Sequence, residues 1–143
     1  STFECIKFKK IKIEYPKSWE EALEGKTISG YYITAALSQI QNYSLGKNAG
    51  KYNANVFKYQ EQAESALAYA QLTQLMALPC YNGDWIPNWD SQNQEKYCIT
   101  RLKSGLVKLD FSGYFSFLAF KSQKVRDAFY NNHMDLIKQF YEL

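Results

Sequence analysis

The chain has 143 residues, of which 46% are hydrophobic, 17% aromatic and 22% charged. That composition suits one globular domain with a sizeable core and excludes a disordered chain or a repeat array. The formal net charge of +3 is concentrated at the start, where residues 1–17 hold Lys7, Lys9, Lys10, Lys12 and Lys17 against Glu4 and Glu14 and leave the remainder neutral overall.

No apolar run approaches the roughly 18 residues of a membrane span, and STFECIKFKK lacks the apolar centre of a signal peptide, so the expected setting is the cytoplasm, with no membrane partner. Cys5, Cys80 and Cys98 are odd in number, widely spaced and without a C-x-x-C pair, which predicts buried thiols rather than a disulfide framework or thiolate metal site. The single histidine excludes a two-His site within one chain. The sequence therefore predicts neither a metal nor a cofactor.

In chain order, FECIKFKKIKIEY alternates apolar and charged residues with a phase change at Lys9-Lys10, the mark of a β-strand with a bulge or of two short strands. Its lysines suit either a phosphate-binding row or a charged sheet edge that resists aggregation, and the edge is the favoured reading. Ser18-Trp19-Glu20-Glu21 matches a capping box and predicts a short helix stopped by Gly25. The Tyr-, Ile- and Thr-rich stretch from Thr27 to Tyr43 predicts one or two strands, Ser44 to Asn55 a polar loop, and Val56 to Tyr59 another short strand.

QEQAESALAYAQLTQLMAL, residues 60–78, predicts a long helix ended by Pro79, with Ala63, Ala66, Leu67, Ala70 and Gln74 assigned to the packed face. Three strands are then expected over 96–102, 106–111 and 114–120, joined at Gly105 and Gly113 as an antiparallel meander. A second long helix over 122–142, capped by Ser122, places Val125, Phe129, His133, Leu136, Ile137 and Phe140 on one face. The expected fold is α+β: an antiparallel sheet of about five or six strands packed against two long helices, plus one short helix. One domain spans 1–143, with 1–29 as an N-terminal extension and 30–143 as core.

Phosphate-loop, G-x-S-x-G and H-E-x-x-H patterns are all lacking, so catalytic chemistry has no motif behind it. His133 lies between Phe129 and Ile137 and is read as a packed histidine. The pairs Asp84 with Asp90 and Asp127 with Asp135 are of the kind that chance supplies on any acidic loop or helix surface. The distinctive passage is Asn82-Gly83-Asp84-Trp85-Ile86-Pro87-Asn88-Trp89-Asp90. Rigid aromatics beside polar tips serve as an interface or fold back to close the core, and closure with at least one buried tryptophan is favoured here.

An Ala-rich helix at Ala68 to Leu75 is followed by N-G-D-W-x-P-x-W at Asn82 to Trp89 and Q-x-K-Y-x-I at Gln94 to Ile99. F-L-A-F at Phe117 to Phe120, R-D-x-F at Arg126 to Phe129 and D-L-I at Asp135 to Ile137 complete the pattern. Over residues 56–143 it resembles a family of small uncharacterised proteins encoded by bacteriophages and integrated mobile elements of gut Bacteroidota. The resemblance implies a phage or mobile-element origin but no reaction or catalytic residues.

The expected function is that of a non-enzymatic binding protein that contacts a host or phage protein in the host cytoplasm, with counteraction of host defence as the role this origin suggests. Its candidate binding residues are Trp85, Trp89, Asn82 and Asp84, with Lys7, Lys9, Lys10 and Lys12. The alternatives are a single-stranded nucleic-acid binder using those lysines and, third, a carboxylate-dependent hydrolase at Asp84 and Asp90.

Overall fold

The computed structural model describes Tyr15, Lys17, Ser18, Glu21 and residues 28–33, 40–45, 56–110, 113 and 115–143. The described elements are β1 (Ile28–Ile33), β2 (Ile40–Leu45), β3 (Val56–Phe57), α1 (Gln60–Met76), β4 (Tyr97–Leu102), β5 (Gly105–Leu109), β6 (Leu118–Phe120) and α2 (Gln123–Phe140). The expected strands before Pro16, with Lys7, Lys9, Lys10 and Lys12, lie outside the described residues. Of the expected short helix, the described part is its cap: Ser18 Oγ accepts from Glu21 N at 3.1 Å, and the Glu21 carboxylate accepts from Lys17 N at 2.8 Å.

The α+β class is found, but as two three-stranded antiparallel sheets, ordered β2-β1-β3 and β5-β4-β6, where the sequence predicts one. The first is the hairpin of β1 and β2, with Ile28 opposite Leu45 and Ile33 opposite Ile40, extended by Tyr31 opposite Phe57. A Cβ added to Gly30 would stand 2.0 Å from the Phe57 carbonyl oxygen, so only glycine lets β1 and β3 approach this closely. β3 has just two residues, and the 17-residue helix that follows carries the chain about 26 Å away at 1.5 Å per residue.

The second sheet also corrects the expected meander. β5 returns on β4 through a two-residue turn, with Leu102 opposite Gly105, but β6 pairs with the other edge of β4, Ile99 opposite Leu118. β5 ends at Leu109 and β6 begins at Leu118, and a connection of that length is not confined to a tight hairpin. Ser116, inside it, donates its hydroxyl to the Ile99 carbonyl at 2.9 Å.

α1 and α2 run antiparallel: Ser65 Oγ donates to the Phe140 carbonyl at 2.6 Å, and Gln139 Nε2 to the Glu64 carbonyl at 3.0 Å. α1 touches α2 on one side and the first sheet on another, while α2 lies on β4 and β6. The core between α1, α2 and the second sheet is built from Leu72, Tyr81, Ile99, Leu118, Phe120, Phe129 and Ile137. As expected, Ser122 caps α2, its hydroxyl accepting from Val125 N at 3.2 Å.

The packed face of α1 differs from expectation. Its buried residues are Ala63, Ala68 and Leu72, whereas Ala66 is half-buried and Ala70 and Gln74 are exposed. A helix contacted on two sides has no single apolar stripe, so spacing alone picks the wrong register. Ala68→Leu is expected to lower stability by about 1–3 kcal/mol through overpacking, while Ala70→Leu changes it little. Paired thermal melts check this; equal midpoints would reverse the assignment of the face.

Arg126 is buried at the start of α2. Its guanidinium bonds Asp110, the Asp127 carboxylate at 3.1 Å and the Leu109 carbonyl at 3.1 Å, and lies 5.8 Å from the centre of the Tyr97 ring. Lys108 Nζ also reaches Asp127 at 3.2 Å. Desolvation tends to raise the Asp127 carboxyl, but the hydrogen bonds from Arg126 and Lys108 outweigh it and hold it below its ordinary value. The network ties α2 to the end of β5 and absorbs Asp127 as a structural residue. Cys98 is buried, but Cys80, expected inside, is exposed and free.

Candidate functional site

The segment from Tyr81 to Lys96 leaves the end of α1 and enters β4. Its first turn folds back on the helix: Asn82 N donates to the Met76 carbonyl and Gly83 N to the Leu78 carbonyl, both at 3.0 Å. Gly83 has φ +57, a left-handed conformation that glycine takes without steric penalty. This turn sends Tyr81 and Asn82 into the core.

Asn82, grouped above with the binding residues, is 6% exposed and spends its amide on the neighbouring strand. Nδ2 donates to the Ala119 carbonyl at 2.9 Å, and Oδ1 accepts from Lys121 N at 3.1 Å. Both ends of the amide are thereby occupied, so Asn82 is a brace rather than a contact residue. Tyr81 meets Phe129 edge to face at 4.9 Å between ring centres. Its hydroxyl lies 2.9 Å from His133 Nε2 and accepts from Asn132 Nδ2 at 3.3 Å.

Adjacent residues of a regular helix project about 100° apart, so they do not ordinarily reach one atom. Asn132 and His133 do so because His133 leaves helical geometry, with φ −128 and ψ 26, and kinks α2 at that point. With Asn132 donating to the phenol oxygen, the phenol proton is directed at an unprotonated Nε2, which is a tautomer assignment made from the hydrogen-bond pattern.

Burial pushes the His133 imidazole below its ordinary 6.5. The unfolded chain therefore binds this proton more readily than the folded one, and the associated stability is present above about pH 6.5 and lost as pH falls toward the folded-state value. The melting temperature is expected to drop between about pH 7.5 and 5.5, and His133→Gln, which keeps an acceptor for Tyr81, to flatten that drop. Parallel pH profiles for the two proteins would refute this.

The rest of the segment is braced from within. Asn88 Oδ1 accepts from Asp90 N at 3.0 Å, and Ser91 Oγ accepts from the backbones of Asn93 and Gln94 at 3.3 Å. The Gln94 side chain bridges Asn88 N and the Ile86 carbonyl. Lys96 is 2% exposed; its ammonium donates to the Ser91 and Gln94 carbonyls at 2.9 and 3.1 Å and sits 5.3 Å from the centre of the Trp89 ring. A buried cation held by carbonyls and an aromatic face is a strut that fixes the loop.

Neither tryptophan closes the core: Trp85 and Trp89 are both half-buried. The buried closure expected of them falls to Tyr81 and Asn82, because the left-handed turn at Gly83 directs those two inward. Trp89 instead packs against Phe115, ring centres 5.2 Å apart. Ile86 and Phe115 are each 77% exposed, the outermost apolar side chains around the loop. Sequence reasoning missed both. Ile86 was hidden between Trp85 and Pro87, and Phe115 fell inside the strand expected over 114–120, of which 118–120 is found.

Asp84, Asp90 and Glu95 are exposed, and among the described residues none of them forms an ion pair. Asp90 and Glu95 line a cleft of about 550 Å³ beside Trp89, together with Ser91, Gln94 and Lys96. Asp84 is not among the residues that line that cleft. Among the described residues no helix is long and apolar enough to cross a membrane, and no three His, Cys, Asp or Glu side chains group as metal ligands. The chain matches no protein-family model, no curated protein and no solved structure.

Proposed function

We propose that this is a non-enzymatic binding protein that docks a protein partner on the apolar face formed by Ile86, Phe115 and the flank of Trp89. The observation that supports this most is the outward Ile86 on a loop braced by its own hydrogen bonds, with the equally exposed Phe115 packed against Trp89 of that loop. Exposed apolar side chains on a preorganised support lose little conformational freedom on association, and such groups supply interface hot spots. The resemblance over residues 56–143 supports a phage or mobile-element origin. On that origin the partner is a host or phage protein met in the host cytoplasm, and the role is counteraction of host defence.

The loop argues against phosphate as its ligand, since its exposed charges are carboxylates. The test is capture from a Bacteroidota lysate on immobilised protein. Ile86→Ser and Phe115→Ser are expected to melt like the parent, because neither side chain is buried, and to lose the captured partner. Undiminished capture by both variants would remove this face from the proposal.

A further inference from the structure

The exposed charges of the loop that carries Ile86 and Trp89 are of one sign. Between Asn82 and Glu95 the charged residues are Asp84, Asp90 and Glu95, all exposed. The cation that follows, Lys96, is buried with its ammonium bound to two carbonyls, so it offers little to a ligand at the surface. In a chain of net charge +3, this loop is thus locally acidic, with Asp90 and Glu95 in the cleft beside Trp89 and Asp84 two residues from Ile86. Glu95 accepts a hydrogen bond from the Tyr97 hydroxyl at 3.1 Å, and Gln94, from the same cleft, holds the Ile86 carbonyl at 3.1 Å. The acidic and apolar parts therefore belong to one braced surface.

Like charges across an interface are repelled and opposite charges steer association, while exposed carboxylates outside any ion pair lose little when a cation arrives. Phe115, exposed beside Trp89, also presents an aromatic surface that an arginine guanidinium can cover. We propose that the partner segment recognised by this face is cationic and apolar, a stretch of polypeptide pairing Arg or Lys with Leu-like side chains, and not an acidic segment or a nucleic acid. This rests on the docking face proposed above and specifies what it selects.

The test titrates the ¹⁵N-labelled full chain with three probes: a short synthetic peptide alternating arginine and leucine, its glutamate–leucine counterpart, and a single-stranded DNA oligonucleotide. The arginine peptide is expected to shift the Trp85 and Trp89 indole signals and the backbone around Ile86 and Phe115. Its binding should weaken with added salt, and by roughly tenfold in the Asp84→Asn, Asp90→Asn, Glu95→Gln variant. These three exposed substitutions leave the buried braces intact, and a thermal melt confirms the fold.

Equal binding of the glutamate peptide, shifts by the oligonucleotide at the same residues, or no binding of the arginine peptide would each overturn the inference. So would concentration-dependent dimerisation abolished by Phe115→Ser, which would make a second copy the occupant. If the lysate partner is lost with Phe115→Ser yet retained by the triple variant, the docking face stands and its cationic selectivity falls.

Discussion

Truncating Phe129 to alanine is expected to lower the unfolding free energy by about 3–5 kcal/mol, a large share of the net stability of a domain this size. Phe129 is fully buried, and its ring stands 4.9 Å from Phe120, 4.9 Å from Tyr81 and 4.8 Å from His133, centre to centre. It is thus the residue at which α2, the second sheet and the start of the loop meet. Alanine would leave a cavity that three aromatic neighbours cannot collapse into without breaking the Tyr81 to His133 hydrogen bond. Trp85→Ala and Trp89→Ala remove more atoms but from partly buried rings outside the core cluster, so each should cost less than Phe129→Ala. Denaturant melts of the three variants check the order; a tryptophan variant less stable than Phe129→Ala would mean that the core lies under the loop rather than between the helices and the second sheet.

How far the sequence carried depended on how local each determinant is. Helix existence was legible because the Ala, Leu, Gln and Glu content of residues 60–76 and the Ser122 cap act within a turn or two. The strands at 28–33, 56–57 and 97–102 were legible from β-formers set between turn residues, and so was most of the strand at 40–45, which runs two residues into the expected polar loop. Strand order was not, because it depends on where the chain after Leu109 crosses, and no spacing encodes that β4 accepts one partner on each edge.

The candidate site shows the same division. The Asn82 to Asp90 passage was singled out by its composition, but the expectation of a buried anchor fell on a tryptophan, whereas Asn82 is the residue of that passage that is buried. Two large indoles outweigh an asparagine in any estimate of buried area. Which side faces in, however, is set by the backbone turn at Gly83, and that turn points Tyr81 and Asn82 at the core while leaving the indoles at its margin. Lys96 was equally hidden, since a lysine is expected outside unless its ammonium finds acceptors, and its acceptors are backbone carbonyls with no sequence signature.

Asn82→Ala is the second large effect expected, with a loss of about 2–4 kcal/mol, because it strips partners from two groups at once. The Ala119 carbonyl, in a strand that is buried throughout, would lose its 2.9 Å donor, and Lys121 N would lose its 3.1 Å acceptor. A water could serve Lys121, whose residue is exposed, but Ala119 lies too deep for the same rescue. Asn82→Asp separates the two: it keeps the acceptor for Lys121 N and replaces the donor to Ala119 by a carboxylate oxygen, which faces a carbonyl with like polarity. It should therefore be as destabilising as alanine or more so, despite being nearly isosteric. The consequence extends to function, because Asn82 is what holds the start of the loop against β6. In Asn82→Ala the Ile86 and Phe115 face should lose partner affinity although neither residue is altered, whereas Phe115→Ser should lose affinity with the melting temperature unchanged. An Asn82→Ala protein with parental stability and parental capture would show that the Gly83 turn and the internal hydrogen bonds of the loop suffice to set the face, and that the bond to β6 is dispensable.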